Sequence, residues 1–244
     1  MNQKPSMDPA RYFDHAATTP LRPEVLAEML PHFQEGFGNP HSLHVWGRQA
    51  AEAVQLARVR VAQAIGAEDP MQVFFTSGAT EANNAVLFLG RPVAVSPFEH
   101  SSVWETAHAK GLPFLGNQGY RLGAPPAGFG AAVMLVNNET GALLEAPQAN
   151  WLFRDITQAV GKIPFSLDGV DYATFAGHKL GGPKGVGVLY AREPESLCPL
   201  LHGGGQELGL RAGTLNVPGI VGMGLATLLA VEQPLRPHAA ACRS

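Results

Sequence analysis

Charge and cysteine are both scarce in this 244-residue chain. Charged residues make up 15% of the sequence, whereas soluble domains average about 25%. Much of the chain is therefore expected to be buried, either in one large core or against another subunit. The two cysteines, Cys198 and Cys242, exclude a disulfide framework and favour a reducing compartment.

Signals for membrane insertion and export are also lacking. The longest apolar stretch, at residues 219–231, is too short to cross a bilayer and contains three glycines. It predicts a buried helix. The first fifteen residues lack the apolar core of a secretory signal, and we expect a cytoplasmic protein without a membrane partner.

Clusters of basic residues are absent from the sequence as well. The formal net charge is -3, and the lysines and arginines are scattered along the chain. Nucleic-acid binding normally needs a concentrated basic surface. We therefore expect a small-molecule ligand and no nucleic acid.

Short apolar runs alternate with segments of helical periodicity. The runs at 71–76, 92–96, 131–136, 151–153, 172–176 and 186–191 predict buried strands. Helices are predicted at 42–66, with Ser42 as its cap and Gly66 as its stop, and at 78–90 and 101–110. This alternation predicts an α/β fold, with a mainly parallel sheet and helices on both faces.

Polar or glycine-rich segments follow five of these strands, where open α/β sheets bind their ligands. After the first strand, Ser77 and Gly78 lead into a helix whose free N–H groups suit a phosphate. Ordinary capping of that helix by Ser77 is the alternative. Asp155 could meet a protonated pyridine nitrogen or cap a following helix. His100 could stack on an aromatic ring or be an ordinary core histidine.

The segment FAGHKLGGPKG at 175–185 places Lys179 among glycines and prolines. An exposed loop would have this composition too. A lysine that forms a Schiff base needs a site that lowers its pKa, and neighbouring glycines would let a flat cofactor approach the backbone. A phosphate site, a carboxylate, a stacking ring and a Schiff-base lysine together match the needs of pyridoxal 5'-phosphate.

Eight stretches give the chain its resemblance to a known family. In chain order they are YFDHAATTP (12–20), FGNPHSLHVWGRQA (37–50), FFTSGATEANN (74–84), EHSSV (99–103), VNNETG (136–141), DITQAVGK (155–162), FAGHKLGGPKGVG (175–187) and HGGGQELGLRAGT (202–214). With these stretches the sequence resembles the class V aminotransferases, and among them most closely the cysteine desulfurases. The resemblance implies an aspartate aminotransferase-like large domain that binds pyridoxal 5'-phosphate.

The resemblance also implies residue roles. Lys179 would hold the cofactor and abstract the substrate Cα proton, His100 would stack on the ring, and Asp155 would pair with the ring nitrogen. Gln158 and Asn138 would lie at the phenolic oxygen. The phosphate would be bound by Ala79, Thr80 and His178, and by Thr214 of a partner subunit, which implies a homodimer.

The chain departs from the family pattern at several places. Ala176 stands where the family has a phosphate-binding serine, and the segments before His100, before Val133 and between Asn138 and Asp155 are short. Outer helices of the sheet are therefore expected to be trimmed. Residues 1–230 would form the large domain and 231–244 a remnant of the small domain. In that remnant Cys242 is a candidate sulfur acceptor, and a tail thiol is the alternative.

The leading hypothesis is a desulfurase that converts L-cysteine to L-alanine and passes sulfur to a thiol. The resemblance implies an acceptor protein as a partner and iron–sulfur cluster assembly as the process. Three alternatives remain open. The first is a pyridoxal-phosphate enzyme that catalyses elimination or transamination of another amino acid. The second is an inert dimer of the same fold. The third is a metal enzyme that uses histidines such as His41 and His44, for which no metal-binding motif is found.

Overall fold

The computed structural model describes residues 11–233. Within this range the helices are α1 (Pro23–Met29), α2 (Val45–Ile65), α3 (Ala79–Leu87), α4 (Ser101–Lys110) and α5 (Val217–Glu232). The strands are β1 (Val73–Thr76), β2 (Val93–Val95), β3 (Asn117–Gln118), β4 (Arg121–Leu122), β5 (Gly130–Ala132), β6 (Leu152–Asp155), β7 (Tyr172–Ala176) and β8 (Gly187–Ala191). Short 3-10 turns cover Leu30–Phe33, Pro70–Gln72, Gly177–Lys179, Pro194–Ser196 and Gln206–Gly209.

Six strands form one sheet in the order β1, β8, β7, β6, β5, β2. The neighbours from β7 to β2 pair in parallel, whereas β8 pairs antiparallel with both β1 and β7. β1 therefore runs in the same direction as β7, and only β8 is reversed within this sheet of the described residues. The predicted mainly parallel sheet is confirmed.

Helices cover both faces of this sheet, as predicted. Phe75 of β1 packs with residues of α2 and α5, whereas its neighbour Phe74 packs with residues of α3. Successive side chains of a strand point to opposite faces. The apolar runs read from the sequence therefore contribute to two cores, one on each side of the sheet.

The end of the sheet at β2 and β5 is covered differently. Residues 112–151, all of which the structure describes, contain no helix; they form β5, the hairpin of β3 and β4, and irregular segments. A small apolar cluster, including Val133, Leu115 and Leu144, covers one face there. β5 ends at Ala132, and the prediction of a strand to residue 136 is wrong because Val136 instead bridges Leu143 across a turn.

The first residue of α2 also differs from the prediction. His44, and not Ser42, is the N-cap, and its Nδ1 accepts the N–H of Gly47 at 3.3 Å. Gly66 ends the helix in the left-handed conformation, with φ of 75°, as predicted. Among residues 11–233 no group of three or more His, Cys, Asp or Glu side chains is arranged to hold a metal ion.

The predicted buried helix at 219–231 is present as α5. It packs along α2, and a Cβ at Gly224 would lie 2.6 Å from the Cα of Ala57, so this glycine permits close contact of the two helices. The helix extends to Glu232, two residues past the predicted domain boundary. Across residues 11–233, no helix combines the length and the apolar character needed to span a membrane.

Candidate active site

A cavity of about 710 Å³ opens at the carboxyl ends of the five strands that share one direction. Every predicted site residue except Thr214 and Cys242 lines it: Ala79, Thr80, His100, Asn138, Asp155, Gln158, Ala176, His178 and Lys179. Thr214 is exposed in the loop before α5, and Cys242 lies outside the described residues. Parallel strands thus bring together residues that are up to 100 positions apart, from Ala79 to Lys179.

Lys179 ends the 3-10 turn that follows β7. Its Nζ donates hydrogen bonds to the carbonyl oxygens of Ala16 at 2.5 Å and Ala17 at 2.8 Å. Partial burial lowers the pKa of Lys179, while the carboxylates of Asp14 and Asp155 act in the opposite direction. The direction of the shift is the one that an amine nucleophile needs, because a larger fraction is neutral at physiological pH.

The chain around residues 16–19 forms the wall opposite Lys179. Thr19 Oγ1 donates to the carbonyl oxygen of His178 at 2.9 Å and accepts the N–H of Gly181 at 2.8 Å. Burial and the nearby lysines lower the pKa of His178. The sequence contained this segment among the family stretches, but the pattern gave no role to it; its bonds fix the turn that carries Lys179.

Asp155 is the last residue of β6 and its side chain is buried, with 4% of the residue exposed. Its Oδ1 accepts the N–H of Thr157 at 2.9 Å, and its Oδ2 accepts from Asn83 Nδ2 at 3.0 Å. No α-helix follows it before α5, so the alternative of an ordinary helix cap is wrong. A buried carboxylate that borders an open cavity is suited to bind a cationic atom of a ligand.

Asn83 connects Asp155 to Ser102, which contacts the predicted site residue His100, and the sequence analysis did not single it out. The residue is fully buried in α3, and its Nδ2 donates to Ser102 Oγ at 2.8 Å as well as to Asp155. Its Oδ1 accepts from Thr174 Oγ1 on β7. A polar residue on the inner face of an apolar helix was the available signal, because such groups normally have partners.

His100 is the N-cap of α4. Its Nδ1 accepts the N–H of Ser102 at 3.1 Å and lies 2.8 Å from Ser102 Oγ, which also contacts Asn83. The residue is exposed at the cavity, so the alternative of a core histidine is wrong. The capping contacts at Nδ1 fix the orientation of the His100 ring. Hydrogen bonds through Ser102 and Asn83 connect His100 to Asp155.

The cavity wall beside β1 is the N-terminus of α3. Gly78 is the N-cap and offers no side chain, so the alternative of capping by Ser77 is wrong. Ala79 and Thr80, both in the cavity lining, occupy the first turn. The first N–H groups of a helix have no partner within it and bear partial positive charge. This turn is therefore a candidate site for an anion.

Gln158 and Asn138 also lie at the cavity. Gln158 Nε2 donates to the Ala16 carbonyl oxygen at 2.9 Å, and its Oε1 accepts from Lys162 Nζ at 2.5 Å. Burial, and then the charge of Lys179, lower the pKa of Lys162 to about 8. Asn138 Nδ2 donates to Glu139 Oε1 at 2.6 Å. Lys162 is a second amine near the site that the sequence reasoning passed over.

The glycines of residues 175–185 have mostly structural reasons. A Cβ at Gly177 would lie 2.8 Å from Met223 Sδ, and one at Gly182 would lie 2.8 Å from the carbonyl oxygen of Gly177. These two positions need glycine for the packing of the turn against α5. Gly185, by contrast, lines the cavity with φ of 76° and open space where a Cβ would point.

The segment GGGQELG at 203–209 does not line this cavity. It sends Glu207 into the core, where both carboxylate oxygens bind Arg58, at 2.6 Å and 3.0 Å, and one also accepts the N–H of Phe75 at 2.8 Å. Glu207 and Leu208 have positive φ values of 46° and 59°. Cys198 is free and exposed, and it too lies outside the cavity lining.

Comparison with known proteins places this geometry in a family. The model of the family described as "Aminotransferase class-V" matches residues 11–109 and 131–237. The chain is 39% identical to the cysteine desulfurase IscS of Dictyoglomus turgidum, over 90% of this chain and 64% of that protein. It is 41% identical to the cysteine desulfurase of Rhodobacter capsulatus, over 89% of this chain and 64% of that protein.

Solved structures give the same result for the fold. A NifS-like protein superposes with a TM-score of 0.84 at 37% identity, covering 91% of this chain and 70% of that one. SspA in complex with cysteine gives a TM-score of 0.78 at 32% identity, covering 88% and 72%. The chain spans 64% of the length of the two desulfurases compared above. Fold and sequence agree, and the chain belongs to the class V aminotransferase family.

Proposed function

We propose that the protein is a pyridoxal 5'-phosphate-dependent cysteine desulfurase, converting L-cysteine and a thiol to L-alanine and a persulfide. The observation that carries the proposal is the single cavity in which an amine, a buried carboxylate and a helix N-terminus meet. The relatives named above are cysteine desulfurases, and one solved structure holds cysteine. Because those relatives are longer than this chain, its own activity and substrate require direct measurement.

The residues of the cavity fit this cofactor. Lys179 supplies an amine, Asp155 a buried carboxylate for a protonated ring nitrogen, and the first turn of α3 supplies N–H groups for a phosphate. Thr157 Oγ1, in the cavity lining, is buried without a hydrogen-bond partner in the described structure. The helix N-terminus and the carboxylate are complementary in charge to the phosphate and to a protonated ring nitrogen, and the amine is a nucleophile for the aldehyde of pyridoxal phosphate.

When bound, pyridoxal phosphate supplies an electron sink for the charge that develops at the substrate Cα. Asp155 would keep a proton at the ring nitrogen, and Asn83 would hold the carboxylate oxygen in place for that task. His100 would limit the position of the ring, since its own ring is fixed through Nδ1 at the start of α4. Gln158 would donate from Nε2, because Lys162 already occupies its Oε1.

Lys179 is the base in this proposal. Its Nζ takes the proton from the substrate Cα, a task for which an amine with a lowered pKa is suited. The carbonyl oxygens of Ala16 and Ala17, both at the cavity, can accept hydrogen bonds from the ammonium form that results. Sulfur passes to a thiolate as the bond between carbon and sulfur breaks, so that one persulfide and one alanine form for each cysteine.

The accepting thiol is proposed to be Cys242 or the thiol of an acceptor protein. Cys242 falls outside the described residues. Cys198, the one described cysteine, does not line the cavity. In an assay, a small added thiol can take the place of the natural acceptor, whichever of the two it is. Iron–sulfur cluster assembly is the process that we propose for the released sulfur.

We further propose a homodimer in the cytoplasm, with residues 1–230 as its large domain and residues 231–244 as a remnant of the small domain. Exposed apolar side chains lie close together in the sequence at Phe37, Leu43 and Trp46, with Leu43 90% exposed. Thr214 is exposed outside its own cavity, where it would be free to reach a partner's phosphate. The low charge content favours a dimer, and the low cysteine content favours the cytoplasm. Analytical sedimentation tests the dimer, and cell fractionation tests the location.

The experiment is a spectrum followed by an assay. Purified protein with pyridoxal phosphate should gain a visible absorbance band that Lys179→Ala removes. With L-cysteine and dithiothreitol, wild-type protein should then produce alanine and sulfide without pyruvate. Pyruvate in place of alanine would favour elimination. Uptake of cofactor without any product would favour an inert dimer, and protein that takes up no cofactor would contradict both enzyme hypotheses.

A further inference from the structure

A carboxylate stands in the wall of the proposed phosphate site. Glu81 lies in the first turn of α3 and lines the cavity together with Ala79 and Thr80. Burial favours its neutral form, but hydrogen bonds from Arg211 and Ser77 outweigh burial and lower the pKa of Glu81. The group is ionised at neutral pH. A phosphate dianion at this turn would therefore lie close to a fixed negative charge.

Glu81 also binds the chain just before the helix, since its Oε2 accepts the N–H of Ser77, the residue that precedes the N-cap Gly78, at 2.9 Å. An acidic residue in a first helical turn is favourable for the helix itself. For an anionic ligand it is unfavourable, because like charges at short range repel even where solvent partly screens them. The phosphate site needs something that offsets this carboxylate.

Arg211 provides that charge from 130 positions away in the sequence. Its Nε donates to Glu81 Oε1 at 2.8 Å and its Nη2 donates to Oε2 at 3.1 Å. Both side chains are largely buried, with 24% and 13% of their surface exposed. A two-point contact between guanidinium and carboxylate is the strong and specific form of ion pair.

We propose that Arg211 neutralises Glu81 so that the N-terminus of α3 keeps its positive potential for the cofactor phosphate. Arg211 acts on the ligand through Glu81, and it is thus a positioning residue. Its effect should be confined to ligands that carry a phosphate. The inference rests on the proposed function, because that function puts a phosphate at this turn.

The test compares pyridoxal 5'-phosphate with pyridoxal, which lacks the phosphate. Dissociation constants of both are measured by equilibrium titration for wild type, Arg211→Gln, Glu81→Gln and the double variant. Arg211→Gln should weaken pyridoxal phosphate binding about tenfold or more and change pyridoxal binding less than about twofold. The double variant should recover most of the loss, because the uncompensated carboxylate is gone.

Arg60→Gln is the matched control, since Arg60 pairs with Glu28 on the surface between α2 and α1. It should leave both constants unchanged. Equal loss of both ligands in Arg211→Gln would mean that the pair only holds the fold, and would overturn the inference. Unchanged binding of pyridoxal phosphate, or a double variant that recovers nothing, would overturn it as well.

Glu81→Gln keeps the inference testable if Arg211→Gln does not fold, as judged by circular dichroism. This variant should bind pyridoxal phosphate as tightly as wild type or more tightly, and weaker binding contradicts the inference. Wild-type protein that takes up no pyridoxal phosphate overturns the proposed function and this inference together. Uptake that is insensitive to both substitutions overturns the inference alone.

Discussion

The two ends of the sheet each bury one arginine and one glutamate, but in opposite arrangements. At the β1 end, Arg58 and Glu207 form a closed ion pair with two hydrogen bonds. Near the β2 end, Glu99 accepts the N–H of Met134, and Arg154 donates to the carbonyl oxygen of Leu144. There, Glu99 Oε2 and Arg154 Nη1 have no hydrogen-bond partner among the described residues.

The two arrangements also differ in the protonation that burial favours. Burial, with a smaller effect from Asp155, raises the pKa of Glu99 to about 8, and burial lowers that of Arg154 to about 10. Glu99 is therefore mostly neutral at pH 7. A neutral Glu99 adds no second negative charge near Asp155, and under the proposed function Asp155 alone would then meet the cationic ring nitrogen. We expect the closed pair to contribute to stability and the open arrangement to contribute to the electrostatics of the cavity.

Breaking the closed pair should have the largest effect. Glu207→Gln leaves Arg58 buried without a countercharge, and we expect a loss of about 3–5 kcal/mol in the free energy of unfolding. Urea denaturation measures it. The double variant Arg58→Met, Glu207→Met should lose much less, because neither charge remains buried. A double variant as unstable as Glu207→Gln would show that packing of the 206–209 turn dominates.

The open arrangement of Glu99 and Arg154 should make the free energy of unfolding depend on pH. A carboxyl whose folded pKa is raised binds a proton in the folded state but not in the unfolded state between about pH 4.5 and 8. Its contribution to stability therefore falls as pH rises through that window, by at most about 1.4 kcal/mol per pH unit. Glu99→Gln should remove this slope, measured as the difference between the two proteins' unfolding free energies. Parallel pH profiles would contradict a neutral Glu99.

Between the two ends, Ala176 lines the cavity without a hydroxyl. In Ala176→Ser, the new hydroxyl could donate a hydrogen bond to the cofactor phosphate. A hydrogen bond to a charged group contributes about 1.5 kcal/mol or more. We expect pyridoxal phosphate to bind about tenfold more tightly, with pyridoxal unchanged, in an equilibrium titration. A gain for both ligands would assign the serine to packing and not to phosphate.

Arg154→Met should have the smallest effect. The guanidinium is buried with one unpartnered nitrogen, and an apolar residue of similar length removes its desolvation cost while keeping its contacts. We expect the free energy of unfolding to change by less than about 1 kcal/mol. A loss comparable to that of Glu207→Gln would mean that Arg154 and Glu99 act as a closed pair in solution.

The sequence predicted the elements that depend on local pattern. Buried strands were readable from apolar runs, and the polar segments after them were readable as one site, because parallel strands align their carboxyl ends. The prediction of trimmed outer helices agrees with residues 112–151. The predictions of a cap at Ser42 and of a strand that reaches residue 136 are wrong. A residue that is favoured as a cap does not fix where a helix begins, and an apolar run does not fix where a strand ends, because tertiary contacts can override both preferences.

Contacts between distant residues could not be read in the same way. Asn83 meets Thr174 and Asp155, and Arg211 meets Glu81, only because the fold brings separate segments together. Each residue alone is compatible with a solvated polar side chain. The family resemblance assigned roles to residues that face the ligand, whereas the residues that hold those in place became visible through their hydrogen bonds.

The reversed direction of β8 has a consequence for how the site can vary. Lys179 lies in the short connection between the antiparallel strands β7 and β8, Gly187 is the first residue of β8, and a Cβ at Gly187 would lie 2.5 Å from the carbonyl carbon of Gly78. Under the proposed function, the nine residues from Lys179 to Gly187 therefore set the spacing between the amine that would hold the ligand and the helix N-terminus that would bind its phosphate. An insertion in that stretch would change the length of ligand that the cavity accepts, whereas insertions in the hairpin of β3 and β4, which does not line the cavity, would leave it unaltered.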